Sequence, residues 1–180
     1  MPALREHAFI SDSNEYLNTT PNSRTGSDAK PAQRYGSTAT DAFRALADQW
    51  ARTFRAEDGP VVRFEGSWPF NVSAAFRASD EGMRTWQAWH AIAAMSDGAS
   101  LAWVAQGVVG YDASARLTEI AQPTLIVAGS EDRVSPPAIG QAMCAQIRGA
   151  RFVEISGAAH IGNVDSAAAF NEALMAFLAD

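Results

Sequence analysis

The run Thr124-Leu125-Ile126-Val127-Ala128 shows no alternation between apolar and polar side chains. A strand with one face in water alternates with a period of two, whereas a strand covered on both faces reads as an unbroken apolar run. Such a strand needs neighbours on both edges and helices above and below it. The following residues meet that demand in order: a Gly129-Ser130-Glu131-Asp132 loop, a helix marked by Ser135-Pro136, and Gly149 as its stop. Ile139, Met143 and Ile147 recur on or near one face of this helix. A second strand is expected over Arg151 to Ile155. Phe170, Leu174, Phe177 and Leu178 then pattern an amphipathic final helix. The spacing predicts a β-α-β-α unit in an α/β fold with few parallel strands.

Upstream the grammar differs. Phe43, Leu46, Trp50 and Phe54 predict a helix with Thr40 as its cap. Ser79-Asp80-Glu81 opens a second helix, with Met83, Trp86, His90 and Ala94 on one side. A third begins near Ala99, carries Leu101, Val104, Ala105 and Val108 on one stripe, and stops at Gly110. Val61 to Phe64 reads as a third strand, though a short and interrupted one. All five tryptophans lie between positions 50 and 103, so this helical region turns large rings toward a core or a pocket. Residues 1–40, rich in Ser, Thr, Asn, Pro and Gly, read as a flexible polar tail. The expected organisation is therefore tail over 1–40, helical region over 41–116 and α/β unit over 117–180.

A formal charge of -6 disfavours nucleic-acid binding, which needs a basic face. No apolar run approaches the roughly 20 residues of a membrane span, and no secretory leader is evident, so the cytoplasm is the default location. The single cysteine, Cys144, fits a small buried hydrophobe in a reducing compartment. Three dispersed histidines and one cysteine suggest no metal site. No glycine-rich phosphate loop is present, so no cofactor is expected.

Loops just past the carboxyl ends of parallel strands are where functional groups collect. Asp132 follows the first strand and His160 the second, one strand-helix-strand crossover later. A carboxylate and an imidazole on neighbouring strand ends can orient and charge-balance each other in acid–base chemistry. Singly, Asp132 also reads as a turn residue, and His160 as a solvated loop histidine.

The stretches LTEIAQPTLIVAGSEDRVSPP, GARFVEI, GAAHIGNVD and FNEALMAFL resemble the C-terminal part of α/β-hydrolase-fold proteins, especially 3-oxoadipate enol-lactonase-like ester and lactone hydrolases. The resemblance implies Asp132 as the triad acid, His160 as the general base, and a small ester or lactone substrate. More loosely, the segment from Ala42 to Arg116 resembles the helical cap of that family, making Trp68, Phe70, Trp86 and Trp89 candidates to line a substrate pocket. The departure lies in the nucleophile. The family places it on a G-x-S-x-G elbow, and no such pattern occurs here. The nearest stretch, Gly98-Ala99-Ser100-Leu101-Ala102, ends in alanine and follows a helix, so Ser100 reads better as a first-turn helix residue. The N-terminal half of the fold is missing from this reading. The chain alone is thus expected to be weak or inactive, and a second copy or a complementing chain would complete the sheet. The alternative function is a non-catalytic hydrolase-like module that binds a small apolar ligand or a protein through its tryptophan-rich helices.

Overall fold

The computed structural model describes residues 8–11 and 41–179. Its centre is a three-stranded parallel sheet of β1 (Ala8–Ser11), β2 (Thr124–Gly129) and β3 (Arg151–Ile155), in the order β1-β2-β3. Strand β2 is central, pairing Ala8 with Thr124 on one edge and Leu125 with Arg151 on the other. Thr124, Leu125 and Ile126 are at most 2 % exposed, as their unbroken apolar pattern requires. The polar-tail reading of 1–40 is therefore corrected at Ala8–Ser11, which form a strand. The remaining residues of that segment, Thr40 among them, lie outside the described residues.

Helix α6 (Pro137–Cys144) covers one face of the sheet. Ile139, Met143 and Ile147 close over Ile126 and Leu117, and Phe152 of β3 packs against the same cluster. The helix begins one residue later than Ser135-Pro136 suggests, because Pro136 keeps extended ψ and Pro137 takes the first turn. Cys144 ends it half-buried, its thiol donating to the Ala150 carbonyl at 3.4 Å. A short helix α7 (Gly162–Asp165) and the terminal α8 (Ala167–Leu178) follow β3.

Five helices fill the middle of the chain: α1 (Asp41–Arg55), α2 (Gly59–Asn71), α3 (Ala74–Arg77), α4 (Asp80–Met95) and α5 (Gly98–Gly107). Small side chains let α1 and α5 approach closely, with Ala51 against Ala102 and Ala105 and with Trp50 and Phe54 flanking them. Ser79 caps α4 by accepting from the Gly82 amide at 3.0 Å, and Asp80 and Glu81 occupy its first turn.

Val61 to Phe64 are helical, so the third strand expected there is corrected to the first half of α2. Two things outweigh the β-branched Val61-Val62 pair. Pro60 is pre-organised for a first helical turn, and helical spacing puts Phe64 and Trp68 one above the other, ring centroids 5.7 Å apart. Both rings join Val72, Phe76, Trp86 and Trp89 in one cluster, and this tertiary packing overrides a weak local preference.

Candidate active site

Gly129 ends β2 where the chain must pass against the loop after β3. A Cβ there would lie 2.3 Å from the carbonyl oxygens of Ala158 and Ala159, so only glycine permits the approach. Three hydrogen bonds then tie the loops together. Ser130 N–H donates to the Ile155 carbonyl at 2.9 Å, Glu131 N–H to the Ala158 carbonyl at 2.8 Å, and Gly157 N–H to Ser130 Oγ at 2.9 Å. Gly157 itself has φ of 75°, in the left-handed region.

These ties bring Asp132 and His160 together. Nδ1 of His160 lies 2.9 Å from Oδ2 of Asp132, with the two side chains 9 % and 4 % exposed. The other carboxylate oxygen accepts from the Val134 and Ser135 amides, each at 2.8 Å. The bland turn role and the histidine-facing role thus coexist in Asp132, one on each oxygen. Each oxygen of this buried carboxylate thus has at least one hydrogen-bond partner, which is what a buried charge requires. An ionised carboxylate can only accept, so Nδ1 is the donor and the imidazole lone pair falls on Nε2.

His160 lines a cavity of about 720 Å³ between the helical region and the strand-end loops. Its apolar wall comes from Trp50, Phe54, Phe64, Trp89, Ile92 and Leu101. Ser67, Asn71 and Asn163 add polar atoms, and Arg63 adds a cation. The guanidinium of Arg63 stacks over the Trp50 ring at 4.5 Å from its centroid.

The helical region is pinned to the His160 loop at several points. Ile161 N–H donates to the Asn71 carbonyl at 2.8 Å. One oxygen of Asp165 accepts from both Ser73 N–H, at 2.8 Å, and Ala159 N–H, at 2.9 Å. The Arg133 guanidinium lies 5.3 Å from the Phe70 ring centroid.

Of the pocket residues expected from sequence, Trp89 lines this cavity. Trp68 is 6 % exposed inside the aromatic cluster. Trp86 stacks on His90 with ring centroids 4.7 Å apart, and Phe70 lies against Arg133. Those three are not among the lining residues: Trp68 and Trp86 pack against Phe64 between α2 and α4, and Phe70 faces the loop after β2. Ser100 sits in the first turn of α5, where Asp97 accepts from both its amide, at 2.9 Å, and its hydroxyl, at 2.6 Å. Those bonds, the hydroxyl foremost, hold the Asp97 carboxyl below its ordinary value of 3.8. Ser100 is exposed and is not among the cavity-lining residues.

Sequence reasoning passed over Arg63, Phe64 and Asp165 as functional candidates. Asp165 stood inside the GAAHIGNVD stretch, and its offset from His160 on a short turn was the available signal. Trp50 and Phe54 were visible only as one face of an amphipathic helix. No helix among the described residues is long and apolar enough to cross a membrane. Among the same residues no group of His, Cys, Asp and Glu is arranged to hold a metal.

Known proteins share this architecture. An enol-lactonase from Burkholderia xenovorans LB400 superposes with a TM-score of 0.69 at 24 % identity, over 76 % of this chain and 51 % of its own. A thermophilic esterase from Thermogutta terrifontis gives 0.69 at 21 % identity, over 78 % of this chain and 51 % of its own. At such identities the likeness concerns the fold, and the chain spans about half the length of these proteins. The polyketide synthase ThaQ of Burkholderia thailandensis is 30 % identical over 143 residues, 76 % of this chain but 7 % of that protein. The model of the alpha/beta hydrolase family matches residues 7–173, nearly the whole sequence. This chain belongs to the alpha/beta hydrolase family.

Proposed function

We propose that this chain supplies the acid and the base of a serine-type hydrolase acting on carboxylic esters or lactones, with the nucleophilic serine on a segment outside its 180 residues. The observation that carries the reading is the Asp132–His160 pair, 2.9 Å apart and at the edge of an apolar cavity. Asp132 fixes the imidazole in the tautomer with Nδ1 protonated and balances the charge when it becomes an imidazolium. Nε2 takes the proton from the attacking serine hydroxyl and returns it to the leaving oxygen. In the second half-reaction the same nitrogen takes a proton from the attacking water and returns it to the serine oxygen as the acyl–serine bond breaks, which frees the acid. The cavity would hold the acyl chain or the lactone ring, with Trp89 in its wall.

The short sheet among the described residues supports a partner. Among the described residues β1 pairs with β2 alone, and a β-edge left in that way accepts another strand. A complementing chain or segment that carries the elbow would cover that edge and deliver its serine beside His160. A reducing compartment such as the cytoplasm suits the single half-buried cysteine.

The test is hydrolysis of an activated short-chain ester by the purified chain, paired with a fluorophosphonate probe. We expect little turnover and no adduct on Ser100. Robust turnover with Ser100 labelled would overturn the placement of the nucleophile elsewhere. A second reading, a non-catalytic module that binds an apolar ligand, is favoured by the cavity's aromatic wall. Binding without any serine labelling in the native preparation would select it.

A further inference from the structure

We infer that one resident water molecule braces the Asp132–His160 pair from behind, and that Ser135 is the positioning residue that holds this water. The inference goes beyond the hydrolase reading, because it concerns the resting pair and needs no nucleophile. The water's place is a small chamber, distinct from the large cavity, with about 20 Å³ for the centre of a water-sized sphere. One ordered water needs roughly 10–15 Å³ of such space and about two to four polar partners. Asp132, Ser135, His160 and Asn163 line the chamber, and Ile155 and Phe170 close it with apolar surface. His160 and Asn163 line both spaces and stand between them.

Ser135 gives the chamber its donor. The residue is 3 % exposed. Its amide is spent on Oδ1 of Asp132 at 2.8 Å, but its hydroxyl has no hydrogen-bond partner among the described residues. A hydroxyl withdrawn from solvent needs a partner, and the chamber that Ser135 lines is where one fits. Asp132 gives the acceptor. A carboxylate offers about four lone-pair sites. The Val134 and Ser135 amides and the imidazole take three of them, and the water donates to the fourth while accepting from Ser135. The side-chain amide of Asn163, also without a partner among the described residues, supplies a further contact. Held on both sides, the carboxylate keeps Oδ2 aimed at Nδ1, and the imidazole keeps one tautomer and one orientation.

The test needs no turnover, so its failure is separable from failure of the hydrolase reading, which the fluorophosphonate adduct decides. A crystal structure of the chain that resolves ordered water should show one within about 3.2 Å of both Ser135 Oγ and the Asp132 carboxylate. Solvent exchange of the His160 Nδ1 proton, followed by NMR, then reports how firmly the pair is held. Ser135→Ala should speed that exchange by about 10-fold, the factor that loss of one hydrogen bond implies. The amide of Ile126, fully buried in β2, should keep its rate. Ser135→Cys, close in size but a weaker donor, should fall between. A dry chamber in the wild type would overturn the inference whether or not either variant folds. So would Nδ1 exchange unchanged in both variants, or an Ile126 amide that accelerates in step with it, which would mark Ser135 as a support of the fold alone.

Discussion

Replacing Asp165 with alanine removes one oxygen that two main-chain amides share, Ser73 N–H at 2.8 Å and Ala159 N–H at 2.9 Å. The first belongs to the cap of α3, and the second immediately precedes His160, so a single side chain joins the helical region to the His160 loop. A hydrogen bond to a charged acceptor contributes about 1.5–3 kcal/mol. Both sites are only part-buried, so water replaces some of the loss, and two bonds to one atom are not additive. The expected cost is therefore about 2–4 kcal/mol. Urea titration followed by tryptophan fluorescence reads it directly, since Trp68 and Trp89 lie in the cluster beside Ser73. With a slope of ~2 kcal/mol per molar urea, the midpoint should fall by about 1–2 M. Asp165→Asn keeps a carbonyl oxygen in place and should cost roughly half as much. An alanine variant within ~0.5 kcal/mol of wild type, or an asparagine variant as damaged as alanine, would refute the reasoning.

Three other perturbations test separate parts of the account. Asp132→Asn should abolish the downfield imidazole N–H resonance of His160, and in any hydrolytically competent preparation should lower kcat by about 10⁴, the loss associated with the wrong tautomer; an unchanged resonance would contradict the 2.9 Å contact. Gly129→Ala forces the Ala158 and Ala159 carbonyls apart and should destabilise by about 1–3 kcal/mol in denaturant titration, with wild-type stability in the variant counting against the close approach. Ser100→Ala should raise the Asp97 carboxyl toward 3.8 in an NMR titration. Because the folded value is depressed, the wild type gains stability from this pair above about pH 4, and loses it as pH falls through the lowered value. An unmoved Asp97 titration would dismiss the Ser100 hydroxyl as its cause.

The β2-α6-β3 unit was legible because each element announces itself locally. An unbroken apolar run marks β2, Ile139, Met143 and Ile147 mark the buried face of α6, and Ser79-Asp80-Glu81 marks the start of α4. Asp132 and His160 could be read as a pair because strand ends in a parallel sheet converge, which is a rule about topology rather than about either residue. Strand β1 was not legible. Ala8–Ser11 is four residues long in polar surroundings, and its only specification is pairing with a strand far along the chain. The wall of the cavity was hard to separate from the core for a related reason. Trp89 faces space and Trp68 faces Phe76, yet both are large apolar residues on helical faces, and periodicity cannot tell an empty side from a filled one. Asp165 was missed because its partners are backbone amides, which leave no trace in side-chain pattern.

The account stands on Asp132 and His160 serving a serine that this polypeptide does not contain. The most direct measurement is fluorophosphonate labelling of the protein as purified from its native producer, with the adduct mapped by mass spectrometry and the labelling repeated in a His160→Ala strain. The account predicts an adduct on a serine outside the 180 residues, on a continuous or tightly associated segment, and its loss in the variant. An adduct on Ser100, labelling indifferent to His160, or no adduct at all would contradict it.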